Sequence, residues 1–318
     1  MLRAVLVAMP AVAHGRPDVD LNFAALNAAS VGGDGVLLGP ARGAWPLMPP
    51  RSAQRFPPER YAPRLGRTVE LPESYDWRDT PGMVTPVQDQ GSVGSCWAFS
   101  ATGNVEGQAF VATNVSTLLS TEFLVDCDDR DCGVFGGWPH SAYEYMMDRG
   151  GVPSAAAQPY CSGRGKCYPC MANKNTTFCG PPPTYCNASW DTSHCADGAW
   201  EAAASVAGWM AVSPDEEQMR DYLYSTGPLS VLLSAFGLQF YRKGVWNPRG
   251  LFKCRSDGND LDHAVLLVGW GVDGDTPYWT VKNSWGARWG EHGYFRIVRG
   301  VGKCGINAQV TSAIVKTS

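Results

Sequence analysis

The chain has 318 residues, 44% of them hydrophobic and 18% charged, an ordinary soluble composition with ample material for one large unit or two lobes. A net charge of −4 with no Lys/Arg run gives no reason to propose nucleic acid or an anionic membrane as a partner. No segment approaches the about eighteen uninterrupted apolar residues that a membrane-spanning helix needs.

The chain opens "MLRAVLVAMPAVAHG". One arginine precedes an apolar run, and Ala11-Val12-Ala13 has the small residues of a cleavage site, so residues 1–13 read as a short signal peptide. Residues 14–70 are rich in Gly, Ala, Pro and Arg. The run "GPARGAWPLMPPRSAQRFPPERYAP" is linker-like, because frequent prolines disfavour helix and interior strand. A compact region starts at "LPESYDWRD", near Leu71.

Helical signals follow. Ser95 is placed to cap a helix whose Trp97, Ala101, Val105 and Ala109 share one face. Ser120 opens a second, "STEFLVDC". A third, "PHSAYEYMMDRGG", has Pro139 near its start and Gly150-Gly151 at its end. Residues 161–195 are different: Cys161, Cys167, Cys170, Cys179, Cys186 and Cys195 lie among Pro, Asn, Gly and Thr, which reads as a stapled loop. Beyond about residue 200, "DEEQMRDYLYSTG" predicts a helix ending at Gly227. "LSVLLSA", "HAVLLVGWG", "YWTVKNSW" and "GYFRIVRG" predict strands. A helical lobe over about 82–200 therefore precedes a β-rich lobe over about 201–310, and a cleft between two such lobes is a natural ligand site.

Eleven cysteines is an odd number, which in an oxidising compartment suggests pairs plus one thiol. Asn114-Val-Ser, Asn175-Thr-Thr and Asn187-Ala-Ser are N-glycosylation sequons and point to the same setting. The expected location is the secretory pathway, either a lysosome-like compartment or the extracellular space. "CYPC" at 167–170 has metal-ligand spacing, but in such a chain it fits a disulfide framework better than zinc.

Cys96 follows Ser95 at the predicted start of the first helix. Unpaired backbone N–H groups and the helix dipole favour an anion there, and the thiolate is the nucleophilic form of cysteine. A cysteine is as often a small buried hydrophobe, so the residue alone does not decide. The wider pattern does. "PVQDQGSVGSCWAFS", "LDHAVLLVGWG" and "YWTVKNSWGARWGEHGYFRI" occur in this order. Together they resemble the catalytic blocks of the papain family, the cathepsin-like cysteine proteases. The resemblance covers nearly all of 71–318 apart from the cysteine-rich segment.

The resemblance implies an α+β, papain-like two-lobe fold, with a helical N-terminal lobe, a β-barrel-like C-terminal lobe and the active-site cleft between them. It implies that Cys96 is the nucleophile, His263 its general base and acid, and Asn283 the group that orients the imidazole. Gln90 is implied as the side-chain donor of the oxyanion hole, and Trp285 as the indole covering the His–Asn pair. His263 and Asn283 lie farther from Cys96 than the roughly 130–150 residues usual for the family, and the cysteine-rich insertion supplies the excess. Gly136 and Gly137 match the segment whose backbone pairs with extended substrate. Trp138, Pro139, Leu232, Leu261 and Ala264 would wall an apolar S2 pocket, with Gln309 near its far end. No catalytic role is proposed for His14, His140, His194 or His292.

The implied activity is that of a cysteine-type endopeptidase working through an acyl-enzyme, with preference for a bulky apolar P2 residue and no cofactor or metal. Expected partners are peptide and protein substrates and cystatin-like inhibitors, with no nucleic acid and no membrane; a monomer is expected. One alternative is an exopeptidase of the same family, although the insertion carries only His194 and not the paired histidines of a cleft-blocking loop. Another is a non-catalytic cleft-binding homologue, which would not need the intact set Cys96, His263, Asn283 and Gln90. The family's inhibitory propeptide is longer than residues 14–70, and its interspersed helical pattern is not recognisable there.

The resemblance also implies a Cys254–Cys304 bridge and a partner for Cys127 among the later cysteines; Cys127, Cys132 and the six of 161–195 would make four further bridges. One departure stands beside the nucleophile. The family signature C-G-[SA]-C-[WY] begins with a cysteine, where this chain has Val93. The partner position, in "GVFGG", holds Val134. Both ends being valine predicts an apolar contact in place of a bridge.

Overall fold

The computed structural model describes residues 52–66, 70–164, 179, 191–250 and 253–316. The signal-like residues 1–13, Asn175, Asn187 and the 167–170 motif lie outside these. Three longer helices, α1 (Cys96–Thr113), α2 (Thr121–Cys127) and α3 (Pro139–Asp148), come first. A further helix, α4 (Glu216–Thr226), lies among the strands. The strands are β1 (Tyr75–Asp76), β2 (Val206–Val212), β3 (Leu229–Leu233), β4 (Val245–Trp246), β5 (His263–Asp273), β6 (Thr276–Lys282), β7 (Tyr294–Val298) and β8 (Val310–Val315). They form one sheet in the order β2-β8-β3-β5-β6-β7-β4, with β1 on β5. Only β4–β7 is parallel among the paired strands.

The sequence predicts β3, β5, β6 and β7 but misses β2 and β8. β8 reads "VTSAIV", too polar for an obvious core strand. Its Ser312 and Thr311 are nonetheless buried. Asn104 of α1 donates to Ser312 Oγ at 3.2 Å and accepts from Ala313 N at 2.7 Å. A polar side chain from the helix thus satisfies a strand that hydrophobic periodicity does not mark, as burial of polar groups requires.

α1 is not amphipathic in the way its spacing suggests. It is buried on nearly all sides from Cys96 to Phe110, because α2 and α3 pack on one flank and the sheet on the other. Small residues admit the sheet: a Cβ on Gly107 would lie 2.8 Å from Pro228. Ser95 occupies the N-cap position, but its side chain makes no cap bond; its hydroxyl meets the Tyr160 phenol at 2.7 Å. Ser120 does cap α2, accepting from Phe123 N at 3.0 Å. Pro139 sits in the first turn of α3, and α4 runs from the Asp215 cap to Gly227. Asn114 ends α1 in the left-handed region, φ 57°, on the surface.

The described residues form two apolar cores. One joins α1, α2 and α3 to residues of β2, β3 and β8, and the other lies within the sheet under α4. Bridges close Cys127–Cys195, Cys132–Cys179 and Cys254–Cys304. Cys161 is also disulfide-bonded. Val93 and Val134 are both buried in the first core, and Gly94 N donates to Val134 O at 2.8 Å.

Residues 52–66, linker-like by composition, are pinned to the body. Tyr61 bridges to Ala211 of β2. Leu65 N donates to Gln218 Oε1 at 2.9 Å, and Arg64 pairs with Asp215 at 2.6 Å. The prolines that forbid helix here suit an extended strap.

Truncating Val93 to Ala should lower the unfolding free energy by about 2 kcal/mol, the usual scale for buried methyl loss. Val93→Cys combined with Val134→Cys should close a bridge, seen as no gain in titratable thiols, and raise the denaturation midpoint above the parent.

Candidate active site

Cys96 is the first residue of α1 and is fully buried. Among the described residues it is the cysteine that keeps its thiol. Its place at a helix start puts it among first-turn N–H groups with no intrahelical acceptor. Two contacts fix how α1 lies on the sheet. Ser100 Oγ donates to Val265 O at 2.8 Å, and a Cβ on Gly103 would lie 3.2 Å from Leu266. Helix and strand therefore run alongside in the same direction. Stepping back four helical residues, about 6 Å, matches two strand residues, about 7 Å. Cys96, the first residue of α1, and His263, the first residue of β5, therefore fall at the same end of this seam.

His263 Nε2 is held by Asn283 Oδ1 at 2.7 Å. That oxygen also accepts Ser284 N at 2.8 Å. The other ring nitrogen, Nδ1, is buried and makes no hydrogen bond among the described residues. Trp285 stacks on the imidazole, with ring centroids 4.7 Å apart and planes 22° apart, and Trp289 packs edge-on behind it. Burial pushes the imidazolium down to about 4, against the Asn283 hydrogen bond, which raises it.

Gln90 is fully buried and its amide is fixed in orientation. Oε1 accepts from Ser284 Oγ at 2.5 Å and Nε2 donates to Val93 O at 2.8 Å. The amide carries a second N–H, while Gln90 N itself donates to Ser284 O at 2.8 Å. Residues 88–90 and 284–286 are thus laced together, with Gly286 N donating to Gln88 O. The segment next to Cys96 and the segment next to Asn283 are one unit.

The residues assigned to the S2 wall divide into two kinds. Trp138, Leu232, Leu261 and Ala264 share one apolar cluster with Cys96, and Leu232 faces Ala264 across β3 and β5. Pro139 is buried at the head of α3. Gly136 has φ 116°. A Cβ on Gly137 would lie 2.6 Å from the Trp97 ring and 2.7 Å from the Asp131 carboxyl, so no larger residue fits. Gln309 is buried but polar in its contacts: Oε1 accepts Gln54 N at 2.8 Å, and Nε2 lies 3.4 Å from His140 Nδ1.

Gln54 belongs to the strap. Phe56 sets its ring edge-on against His140 at 4.9 Å and Trp209 at 5.0 Å, and Arg60 lies over Trp209 at 4.7 Å. Sequence reasoning missed His140, Trp209, Ser284 and Tyr160; nothing local marks them, since each matters through a partner distant in sequence. Burial, and then the Arg60 charge, push His140 down to about 4. His194 is tied elsewhere, to Asp126 at 3.1 Å. It groups with Cys127 and Cys195, but those sulfurs are bonded to each other and offer no thiolate to a metal.

A family model described as papain family cysteine protease matches residues 71–314. Cysteine proteinase 15A of Pisum sativum is 38% identical over 267 residues, covering 79% of this chain and 64% of that protein. Cathepsin F of Mus musculus is 37% identical over 270 residues, covering 85% of this chain and 50% of its own length. The chain therefore spans less than two thirds of the length of these relatives. The solved bromelain protease of Ananas comosus, in complex with the E64 inhibitor, superposes with a TM-score of 0.62 at 32% identity, over 77% of this chain and all of that one. A digestive procathepsin L2 from the larval midgut of Tenebrio molitor gives a TM-score of 0.62 at 35% identity, covering 78% and 70%.

Asn283→Ala removes the bond to His263 Nε2. A hydrogen bond to a group that becomes charged contributes about 1.5–3 kcal/mol, so the rate of Cys96 alkylation by a thiol reagent near neutral pH should fall by roughly 10- to 150-fold.

Proposed function

Because the chain belongs to the papain family of cysteine proteases, we propose that it is a cysteine-type endopeptidase whose nucleophile is Cys96. One arrangement supports this reading: a thiol at the start of α1, on the helix packed along β5, the strand whose first residue is an imidazole held at Nε2 by Asn283 at 2.7 Å.

In the proposed reaction His263 Nδ1 takes the Cys96 proton, giving a thiolate–imidazolium pair. The sulfur attacks the peptide carbonyl carbon. The oxyanion that forms is stabilised by the Cys96 backbone N–H and the second N–H of Gln90 Nε2; losing one such donor typically costs roughly 3 kcal/mol in the barrier. The C–N bond breaks as the imidazolium protonates the leaving amine. Water, deprotonated by His263, then attacks the thioester, and the acid product leaves with the thiol restored. Trp285 keeps bulk water from the His263–Asn283 bond.

Gly136 and Gly137 would accept the substrate backbone. The apolar side chains of Trp138, Pro139, Leu232, Leu261 and Ala264 favour a bulky apolar P2 residue. The His194–Asp126 pair supports the endopeptidase over the exopeptidase reading, since it occupies that histidine at the α2 end. The proposed substrates are peptides and proteins, and the disulfides favour an oxidising, secretory-pathway location. Residues 14–70 are read as a propeptide-like or linker segment, with residues 71–318 as the peptidase domain.

The direct test is labelling. An epoxysuccinyl inhibitor should add once to the acid-treated protein, on Cys96, and not to the Cys96→Ala variant. No adduct together with no peptide hydrolysis from acid to neutral pH would sink the proposal. A substrate library should favour Leu, Val or Phe at P2, and a preference for Arg or Glu would refute the pocket assignment.

Acid should loosen the strap. His140 is held near 4 while covered by Phe56 and beside Arg60, with Glu144 as the nearby counter-charge; uncovered, it returns towards about 6.5. A depressed histidine favours the covered state above pH 6.5 and loses that advantage as pH falls towards 4, at about 1.4 kcal/mol per pH unit. Processing rates should rise over that window, and His140→Gln should flatten the rise.

A further inference from the structure

The Tyr160 hydroxyl touches both halves of the proposed machinery. It donates to the backbone carbonyl of Gln90 at 2.9 Å and lies 2.7 Å from Ser95 Oγ. A phenol has one proton to give and lone pairs to accept with; with its proton on Gln90 O, it accepts from the Ser95 hydroxyl. Ser95 immediately precedes the nucleophile, and Gln90 carries the side-chain donor. One oxygen atom therefore spans the two sides between which an oxyanion would sit. Ser95 gives up its helix-capping bond to make this contact.

The hydroxyl is itself firmly placed. The Tyr160 ring packs edge-on against Phe99, one turn below Cys96, with centroids 4.8 Å apart. Behind it, the buried Glu122 carboxylate accepts Cys161 N at 2.9 Å, Ser162 N at 3.1 Å and the Ser162 hydroxyl. Cys161 is further held by its disulfide. In front, the loop lies directly on the Gln90–Gly91 peptide. A Cβ on Gly91 would be 1.8 Å from Gly163 O, and one on Gly163 would be 1.9 Å from Gln90 O. Two glycines are needed for so close an approach. Burial holds the phenol well above its ordinary value, so it stays a neutral donor.

We propose that Tyr160 is a positioning residue that sets the gap between the Cys96 backbone N–H and the Gln90 side-chain amide, acting through Ser95 and the Gln90 carbonyl. The proposal rests on the peptidase reading above. Its chemistry is selective. Loss of the hydroxyl misplaces the donors that stabilise the oxyanion, yet removes no bond made by His263 or Asn283. Turnover should suffer, while the ionisation of the thiol should not.

The test uses the full 318-residue chain, processed at acid pH, as parent, Tyr160→Phe and Ser95→Ala. In Tyr160→Phe, kcat should fall roughly tenfold or more with KM within about twofold of the parent. Affinity for a peptide aldehyde, whose adduct places an oxygen anion or hydroxyl at the same donors, should fall by a similar factor. The rate and pH profile of reaction with dipyridyl disulfide, which reads the thiolate without an oxyanion, should match the parent. Ser95→Ala should show the same pattern more weakly. Unchanged kcat and aldehyde affinity in Tyr160→Phe would overturn the proposal, as would a fall in disulfide reactivity in step with kcat. If the parent turns over no peptide, the peptidase reading falls and this proposal with it; if the parent is active and the variant matches it, only the role of Tyr160 falls.

Discussion

The seam between α1 and β5 governs the rest of the molecule. The helix that begins with Cys96 lies lengthwise on the strand that begins with His263, and hydroxyls lock the register: Ser100 donates to the β5 backbone, and Ser230 of β3 donates to Ser100 O at 2.9 Å. A helix displaced by one residue would break these bonds, which are buried and costly to lose, and would shift Cys96 along the strand that begins with His263. The disulfides, the second core and the insertion all act at the edges of this seam. Cys254–Cys304 closes the far side of the sheet, and Cys127–Cys195 and Cys132–Cys179 tie the insertion to the end of α2 and the loop after it.

Polar groups, rather than apolar ones, set the fine geometry. Asn283 Oδ1 serves both His263 and Ser284 N. Ser284 Oγ serves Gln90, and Gln90 serves Val93. The network runs from the His263 imidazole to the Gln90 amide without leaving the protein interior. Each of these bonds is buried, where the low local dielectric strengthens it. Trp285 and Trp289 contribute mainly by keeping water out, which strengthens each bond beneath them.

What the sequence disclosed follows from where the information lies. Cys96, His263, Asn283 and Gln90 stand in contiguous motifs, so order and local spacing suffice to mark them. The interior strands β3, β5, β6 and β7 carry long apolar runs. β8 does not, because its burial is made tolerable by Asn104 some two hundred residues earlier, and no local window contains that fact. The same holds for Tyr160 and His140: each is ordinary in its own helix or loop and acquires a role only from Gln90 and Ser95 in one case, and from Phe56 and Arg60 in the other. The proline-rich segment 52–66 was legible as non-helical, but its attachment was not. Proline content reports backbone preference and says nothing of what the backbone lies on.

The pair Val93 and Val134 has a consequence for how the chain reaches its native pairing. During oxidative folding, thiols and disulfides exchange through mixed-disulfide intermediates, at rates that rise with thiolate character and proximity. Cys96, the first residue of α1, keeps its thiol, and a thiol can exchange with a neighbouring bridge. With two valines where a bridge would stand, there is no sulfur three residues away to attack. Exchange among the other cysteines thereby has one fewer nearby route by which to draw Cys96 into a non-native crosslink.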